Sequence, residues 1–146
     1  MAYKSPALLL LLLLTVMYAT LVLANETPYQ KFLRQHYHNG DMSVQMCDSE
    51  MRKRSLVNPC KETNSFIIAQ KNDIIAVCKE AGKPYTTSQG KLMRISLNPF
   101  RVVTCKVKGA SHRPPCNYKG NSSTRKIVIA CENNLPVHYE EGIIAA

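Results

Sequence analysis

The chain has 146 residues, a formal net charge of +9 and six cysteines. That length suits one domain with a modest core, and the absence of a close C-x-x-C pair argues against zinc or thioredoxin-like chemistry. A small protein this basic attracts polyanions such as RNA, glycosaminoglycans or anionic membranes, and charge alone does not choose among them.

The first residues, "MAYKSPALLLLLLLTVMYATLVLA", set one lysine, Lys4, before a leucine-rich run that ends in Val22-Leu23-Ala24. This pattern predicts a secretory signal over residues 1–24, cleaved before Asn25. An uncleaved anchor is the competing reading, because the run is nearly long enough to span a bilayer. Thr15, Tyr18, Thr20 and the cleavage-like end favour the signal. The remaining residues, 25–146, form a single domain that keeps a charge of +8 once Lys4 is gone. All six cysteines (47, 60, 78, 105, 116, 131) lie in that part, so three disulfides are expected, with fifteen connectivities open. Asn25 and Asn121 head glycosylation sequons.

Along the mature chain, "TPYQKFLRQHY" predicts a helix with Thr27 as cap, Pro28 in the first position and Gln30 completing a capping box. Phe32 and Leu33 are core anchors, and His36 shares a face with Phe32. "VQMCDSEMRKRSL" predicts a second short helix. "QKNDIIAVCKEAG" predicts a third, with Ile74, Ile75, Val77 and Cys78 inward and Gly82 as its stop. Strands are expected in "KETNSFIIA", "LMRISL", "RVVTCKVKG", "RKIVIACE" and "LPVHYE", and turn-rich loops at 82–91 and 108–116. Helices first and antiparallel strands later give an α+β domain.

In "CKETNSF", strand alternation would set Lys61, Thr63 and Ser65 on one face and Glu62, Asn64 and Phe66 on the other. Of the four histidines, His38 and His112 adjoin Gly or Pro in expected loops and read as solvent-exposed. An isolated imidazole is ordinarily structural. His138, however, has Glu140 two residues along on the same strand face, placed to orient a ring nitrogen. His36, His138 and Lys61 together suit phosphoryl transfer: one imidazole takes a proton, the other supplies one, and the ammonium stabilises charge on phosphorus. A substrate that brings its own hydroxyl, as RNA brings its 2′-OH, then needs no covalent nucleophile, metal or cofactor.

"FLRQHY", "NPCKETNSF" and "ENNLPVHYE", in that order, resemble the three active-site segments of the pancreatic ribonuclease A superfamily. "MRKRSL", "CENNLPVH" and the six cysteines are similar to its angiogenin branch. The resemblance covers essentially the whole mature chain. It implies a bent antiparallel β-sheet with three α-helices and pairings Cys47–Cys105, Cys60–Cys116 and Cys78–Cys131. It also implies His36 as the general base, His138 as the acid and Lys61 beside the scissile phosphate, giving a 2′,3′-cyclic phosphate that is hydrolysed afterwards. Gln35 would hold a phosphate oxygen, Lys31 a flanking phosphate, and Ser65, with its neighbour Asn64, the pyrimidine edge.

Three positions depart from the family pattern. Ser65 replaces threonine and lacks the methyl that restricts its rotamer. Glu140 replaces aspartate beside the acid histidine. Glu141 stands where the angiogenin branch carries a glutamine that obstructs the pyrimidine pocket, and a carboxylate there either obstructs it or swings into solvent. The basic run Arg52-Lys53-Arg54 matches a segment linked to nuclear and nucleolar import; its plainer reading is a solvated helix end suited to the helix dipole. The loop Lys79–Lys91 matches the position of a cell-surface-engaging segment, without its residues. By this reading the protein is a monomeric secreted ribonuclease that acts on RNA and meets ribonuclease inhibitor. The alternative is a cationic effector acting on a receptor, heparan-like polyanions or microbial membranes, with catalysis incidental.

Overall fold

The computed structural model describes residues 5–110, 112–143 and 145, so Lys4 of the expected leader and Ser111 of the expected 108–116 loop lie outside the described residues. Helix α1 (Pro6–Ala24) carries the leucine run. Its side chains from Leu8 to Tyr18 stay exposed, and none of them enters a core cluster. Among the described residues no helix is long and apolar enough to cross a membrane.

Helix α2 (Pro28–His36) starts as expected. The Thr27 hydroxyl accepts from the Gln30 N–H at 3.1 Å, and Gln30 Oε1 accepts from the Thr27 N–H at 3.0 Å, so two otherwise orphaned donors are satisfied together. Phe32 and His36, four apart, are both buried, while Leu33 is only partly so. The chain then extends into β1 (Tyr37–His38), which pairs in parallel with β2 (Thr63–Ile68). This pairing buries His38, contrary to the expectation of exposure. Its Nδ1 lies 3.1 Å from the Gly40 carbonyl and its Nε2 3.8 Å from the buried Glu50 carboxylate. His112 is exposed as expected.

The expected second helix begins as a 3-10 turn at Val44–Met46 and continues as α3 (Cys47–Lys53). Arg54 closes it, and here the solvated-segment reading needs correction. Arg52 and Lys53 are exposed, but Arg54 donates to Glu50 Oε2 at 3.1 Å, to the Leu33 and Arg34 carbonyls at 3.3 and 3.2 Å, and to the Tyr37 carbonyl. Its guanidinium also sits 5.0 Å from the Phe66 ring centroid. It therefore clamps α2 to α3 and is not part of a free cationic surface.

Helix α4 (Lys71–Val77) ends five residues before the expected stop, with Cys78 as its cap. Gly82 instead opens β3 (Gly82–Thr86), where a Cβ would come within 2.0 Å of the Val77 carbonyl oxygen. Thus half of the expected 82–91 loop is strand, and the turn proper is closed by the Thr87 N–H on the Lys91 carbonyl at 2.8 Å.

Strands β4 (Leu92–Ser96), β5 (Phe100–Val107), β7 (Val128–Glu132) and β8 (Leu135–Tyr139) match the expected runs. Strand β6 (Tyr118–Arg125) was not foreseen. Its sequence, "YKGNSSTR", has no alternation; the eight-pair ladder with β5 makes it a strand. Among the described residues two four-stranded sheets result, β1-β2-β5-β6 and β3-β4-β7-β8, antiparallel apart from β1–β2. The α+β class is borne out, with three helices beyond α1 among the described residues.

So are the pairings: Cys47–Cys105, Cys60–Cys116 and Cys78–Cys131 are bonded. The first two lie in the core beneath β2, with Met42, Met51 and Phe66. The third joins the core between α2, α4 and β7, around Phe32, Ile67 and Ile129. Each bridge closes a loop of more than fifty residues, long enough to stabilise the fold by roughly 3–5 kcal/mol through the unfolded chain.

Candidate active site

Helix α2, the segment after Cys60 and the end of β8 come together around His36. His36 Nδ1 lies 2.8 Å from the Ser65 carbonyl. A carbonyl can only accept, so Nδ1 carries the proton and Nε2 keeps its lone pair. The ring packs against Phe32 (5.4 Å between centroids) and Tyr139 (5.2 Å). Burial lowers the His36 pKa to about 3; the Ser65 carbonyl bond opposes this, and the positive charges of Lys61, His138 and Arg54 add to it. The charges of Lys61 and His138 therefore converge on His36 although the three residues lie far apart in sequence.

His138 is exposed, and its Nε2 sits 3.0 Å from Glu140 Oε2. Glutamate, despite its extra methylene, makes the orienting contact. The carboxylate fixes the proton on Nε2 and leaves Nδ1 as the nitrogen free to exchange a proton with a substrate.

Lys61 does not share a face with Ser65, contrary to the alternation argument, because β2 begins only at Thr63. Its Nζ instead donates to Asn64 Oδ1 at 2.6 Å, and Asn64 Nδ2 donates to the Gln35 carbonyl at 2.7 Å. The lysine backbone is held on both sides: its N–H donates to the Leu56 carbonyl at 2.9 Å and its carbonyl accepts from the Tyr118 hydroxyl at 2.7 Å. With the neighbouring Cys60–Cys116 bridge, these contacts fix the ammonium. Burial lowers the Lys61 pKa, Glu141 opposes this, and Lys31 and Arg34 reinforce it. Lys31 is exposed on α2, and Gln35 is half-buried.

Next to His36 a small polar pocket is closed by Glu141. Glu141 Oε1 accepts the Ser65 N–H at 2.7 Å, and Oε2 accepts the Ser65 hydroxyl at 2.6 Å. Of the two orientations open to Glu141 in the sequence, the structure has the inward one, on Ser65 and not in solvent. Ser65 Oγ also lies 2.8 Å from Thr104 Oγ1, which accepts from Arg125 Nη2 at 2.7 Å. Beside the pocket lies a cavity of about 470 Å³ lined by Thr104, Lys106, Lys119, Gly120, Asn121 and Arg125. Asn121 is exposed on β6, as is Asn25 before α2.

Sequence reasoning missed Tyr139, Thr104 and Arg125. Strand alternation pointed at the first, since Tyr139 sits between His138 and Glu140 and must face the other way. The other two depend on the β2–β5–β6 register, where Ser65 opposes Thr104. Among the described residues no group of three or more His, Cys, Asp or Glu side chains is placed to hold a metal ion.

The family model for pancreatic ribonuclease matches residues 27–140, which contain His36, Lys61, Ser65, His138 and Glu140. The chain belongs to the pancreatic ribonuclease family. Within that family, angiogenin-4 of Mus musculus is 44% identical over 141 residues, covering 94% of this chain and 94% of the relative. Angiogenin of Sus scrofa is also 44% identical over 141 residues, covering 94% of this chain and 92% of the relative. Among solved structures, green turtle egg white ribonuclease superposes with a TM-score of 0.73 at 40% identity, over 81% of this chain and all of that one. Zebrafish RNase5 does so with 0.70 at 48% identity, over 79% of this chain and 93% of that one. The pancreatic ribonuclease architecture is thus shared by sequence and by fold.

Proposed function

We propose that residues 25–146, released from the 1–24 signal, form a secreted endoribonuclease that cleaves single-stranded RNA 3′ of pyrimidines. The reading rests on one observation above all: a buried, neutral imidazole at His36 lies within reach of the charges of the fixed Lys61 ammonium and the carboxylate-held imidazole of His138. These are two groups poised in opposite protonation roles.

In the first step His36 Nε2 takes the proton of the ribose 2′-hydroxyl. The 2′-oxygen bonds to phosphorus, the bond from phosphorus to the 5′-oxygen breaks, and protonated His138 gives its proton to that leaving oxygen. The products are a 2′,3′-cyclic phosphate and a free 5′-hydroxyl. Each proton transfer is worth roughly a hundredfold to ten-thousandfold. Lys61 stabilises the extra negative charge on the phosphoryl oxygens, a role of about 3–4 kcal/mol in comparable sites. In the second step water adds to the cyclic phosphate with the two histidines in reversed roles. No metal or cofactor enters this scheme.

Ser65 supplies the pocket for the base, with Asn64 holding Lys61 in place. Gln35 and Lys31 border the phosphate track, and Lys106 and Lys119 add cationic surface to it. Because Glu141 fills the base pocket, turnover on small substrates is low. That closure, with the +8 charge, also favours a second reading, a cationic effector that engages heparan-like polyanions or a cell-surface receptor with catalysis in support. Import through the 52–54 segment would rest on the exposed Arg52 and Lys53 alone.

The test is product analysis on a pyrimidine–purine ribodinucleotide. The ribonuclease reading requires a cyclic phosphate that forms and then disappears, and no reaction when the 2′-hydroxyl is methylated. Cleavage of the methylated substrate, or of neither, overturns it.

A further inference from the structure

The chain carries the sequons Asn25-Glu26-Thr27 and Asn121-Ser122-Ser123, and the fold accounts for the residues of only the first. There Thr27 caps α2 and Glu26 pairs with Arg34 at 2.8 Å, so both are explained by the helix start. In the second, the Asn121 side chain is exposed and makes no hydrogen bond with the described residues. Ser123 Oγ is buried and has no partner among them. Such a hydroxyl costs free energy and calls for an explanation. Alanine would fill the same place opposite Val102 without that cost. A glycosyl transferase that reads the hydroxyl on the unfolded chain supplies the missing reason.

The β5–β6 ladder fixes where a group on Asn121 would stand. Lys119, Asn121 and Arg125 alternate onto one face of β6, and Lys106 opposes Lys119 on the same face. With Thr104 and Gly120 these residues line the cavity of about 470 Å³, which has no carboxylate in its wall. Lys106 and Lys119 are both exposed, and neither forms an ion pair among the described residues. Like charges directly opposite each other on a ladder repel. A space of this size takes a small ligand, and the hydroxyl and acetamide oxygens of a sugar are acceptors for both ammoniums. Strand β6 is the last of its sheet, where a bulky substituent displaces no neighbouring strand.

We infer that Asn121 carries an N-linked glycan, which covers Lys106 and Lys119 and weakens the protein's hold on single-stranded RNA. The donor is a lipid-linked pyrophosphoryl oligosaccharide of the secretory pathway, which the proposed 1–24 signal opens to the chain. Asn121 Nδ2 bonds to C1 of the first N-acetylglucosamine and gives up one proton. The bond from C1 to the pyrophosphate oxygen breaks, and the lipid pyrophosphate leaves. The core sugars carry no charge, so the effect is cover and not neutralisation. The glycan stands apart from the ribonuclease reading; the choice of RNA as the polyanion it holds off rests on that reading.

The test takes the protein secreted by cultured animal cells and its Ser123→Ala variant, which keeps Asn121 but loses the sequon. Peptide mass spectrometry should find the glycan on Asn121 in the parent and none there in the variant. Affinity is then measured for a 2′-O-methyl oligonucleotide, which binds without being cleaved. Ser123→Ala should bind about tenfold more tightly at low salt, and its log Kd should depend on log salt more steeply by about 1.4, the share of two lysine–phosphate contacts on a single strand. Asn121→Gln should match it, which separates loss of the glycan from any effect of either side chain. Lys106→Gln with Lys119→Gln should cancel the gain in Ser123→Ala, yet change the glycosylated parent by less than about twofold. An unmodified Asn121 in the secreted parent overturns the site. A glycan there with equal affinity in parent and Ser123→Ala overturns the shielding. Neither readout needs catalysis, so failure of the ribonuclease reading would show separately, as an uncleaved dinucleotide.

Discussion

Glu141→Ala should open the base pocket and raise activity. The carboxylate accepts two hydrogen bonds from Ser65, at 2.7 and 2.6 Å, and bonds to a charged acceptor are worth about 1.5–3 kcal/mol each. Glu141 is half-buried, so the low end applies, about 3 kcal/mol for the pair. At about 1.4 kcal/mol per tenfold, that leaves the pocket open in roughly one molecule in a hundred or fewer, and the apparent affinity for a base falls by the same factor. Steady-state cleavage of a pyrimidine–purine dinucleotide should accordingly rise about a hundredfold in kcat/KM. Glu141→Gln, which keeps an acceptor but loses the charge, should gain only about tenfold. If instead the carboxylate acted by repelling the substrate phosphate, Gln and Ala would gain equally. A dinucleotide with purine at the 5′ position, which does not use the pocket, should gain little from either change. Rates within twofold of the parent for Glu141→Ala would refute the reasoning that a closed pocket limits this enzyme.

Acid should unfold the protein partly through His36. Its folded pKa, about 3, lies below the unfolded 6.5, so between these values the unfolded chain binds the extra proton and stability rises with pH. Denaturant midpoints followed from pH 7 downward should show a loss of about 1.4 kcal/mol per unit below 6.5, and His36→Phe should flatten that slope; an unchanged slope would contradict the burial argument. Arg54→Ala should lower stability by about 3–5 kcal/mol, because it strips the carbonyls of α2 and leaves Glu50 buried without its principal cation. Arg52→Ala, at an exposed site, should change the urea midpoint by less than about 0.5 kcal/mol equivalent.

Much of this arrangement is local and therefore legible in the sequence. The Thr27–Gln30 capping box and the His138–Glu140 pair involve residues a few positions apart, and periodicity alone places them. His36 and Lys61 were legible because their flanking segments resemble a known family, which also supplied the three cysteine pairings. The misses share a cause: each depends on tertiary contacts that no local pattern encodes. His38 is buried because β1 pairs with β2. Arg54 turns inward because three carbonyls at the end of α2 converge on it. Lys61 meets Asn64 because the strand starts two residues later than the alternation assumed. Strand β6, polar along its length, is a strand only because β5 lies beside it, and its register brings Arg125 to Thr104. Gly82 reads as a helix stop, yet what it provides is room for the Val77 carbonyl.

The central claim is the division of labour between the two imidazoles, and leaving-group chemistry tests it most directly. His36→Ala and His138→Ala should each be compared with the parent on a ribodinucleotide and on a nucleoside 3′-(4-nitrophenyl phosphate), whose leaving group departs without a proton. His138→Ala should lose about a thousandfold or more on the dinucleotide and stay within about tenfold of the parent on the nitrophenyl ester, having lost only orientation there. His36→Ala should lose comparably on both. Equal losses for His138→Ala on the two substrates, or near-parent cleavage of the dinucleotide by either variant, would contradict the account.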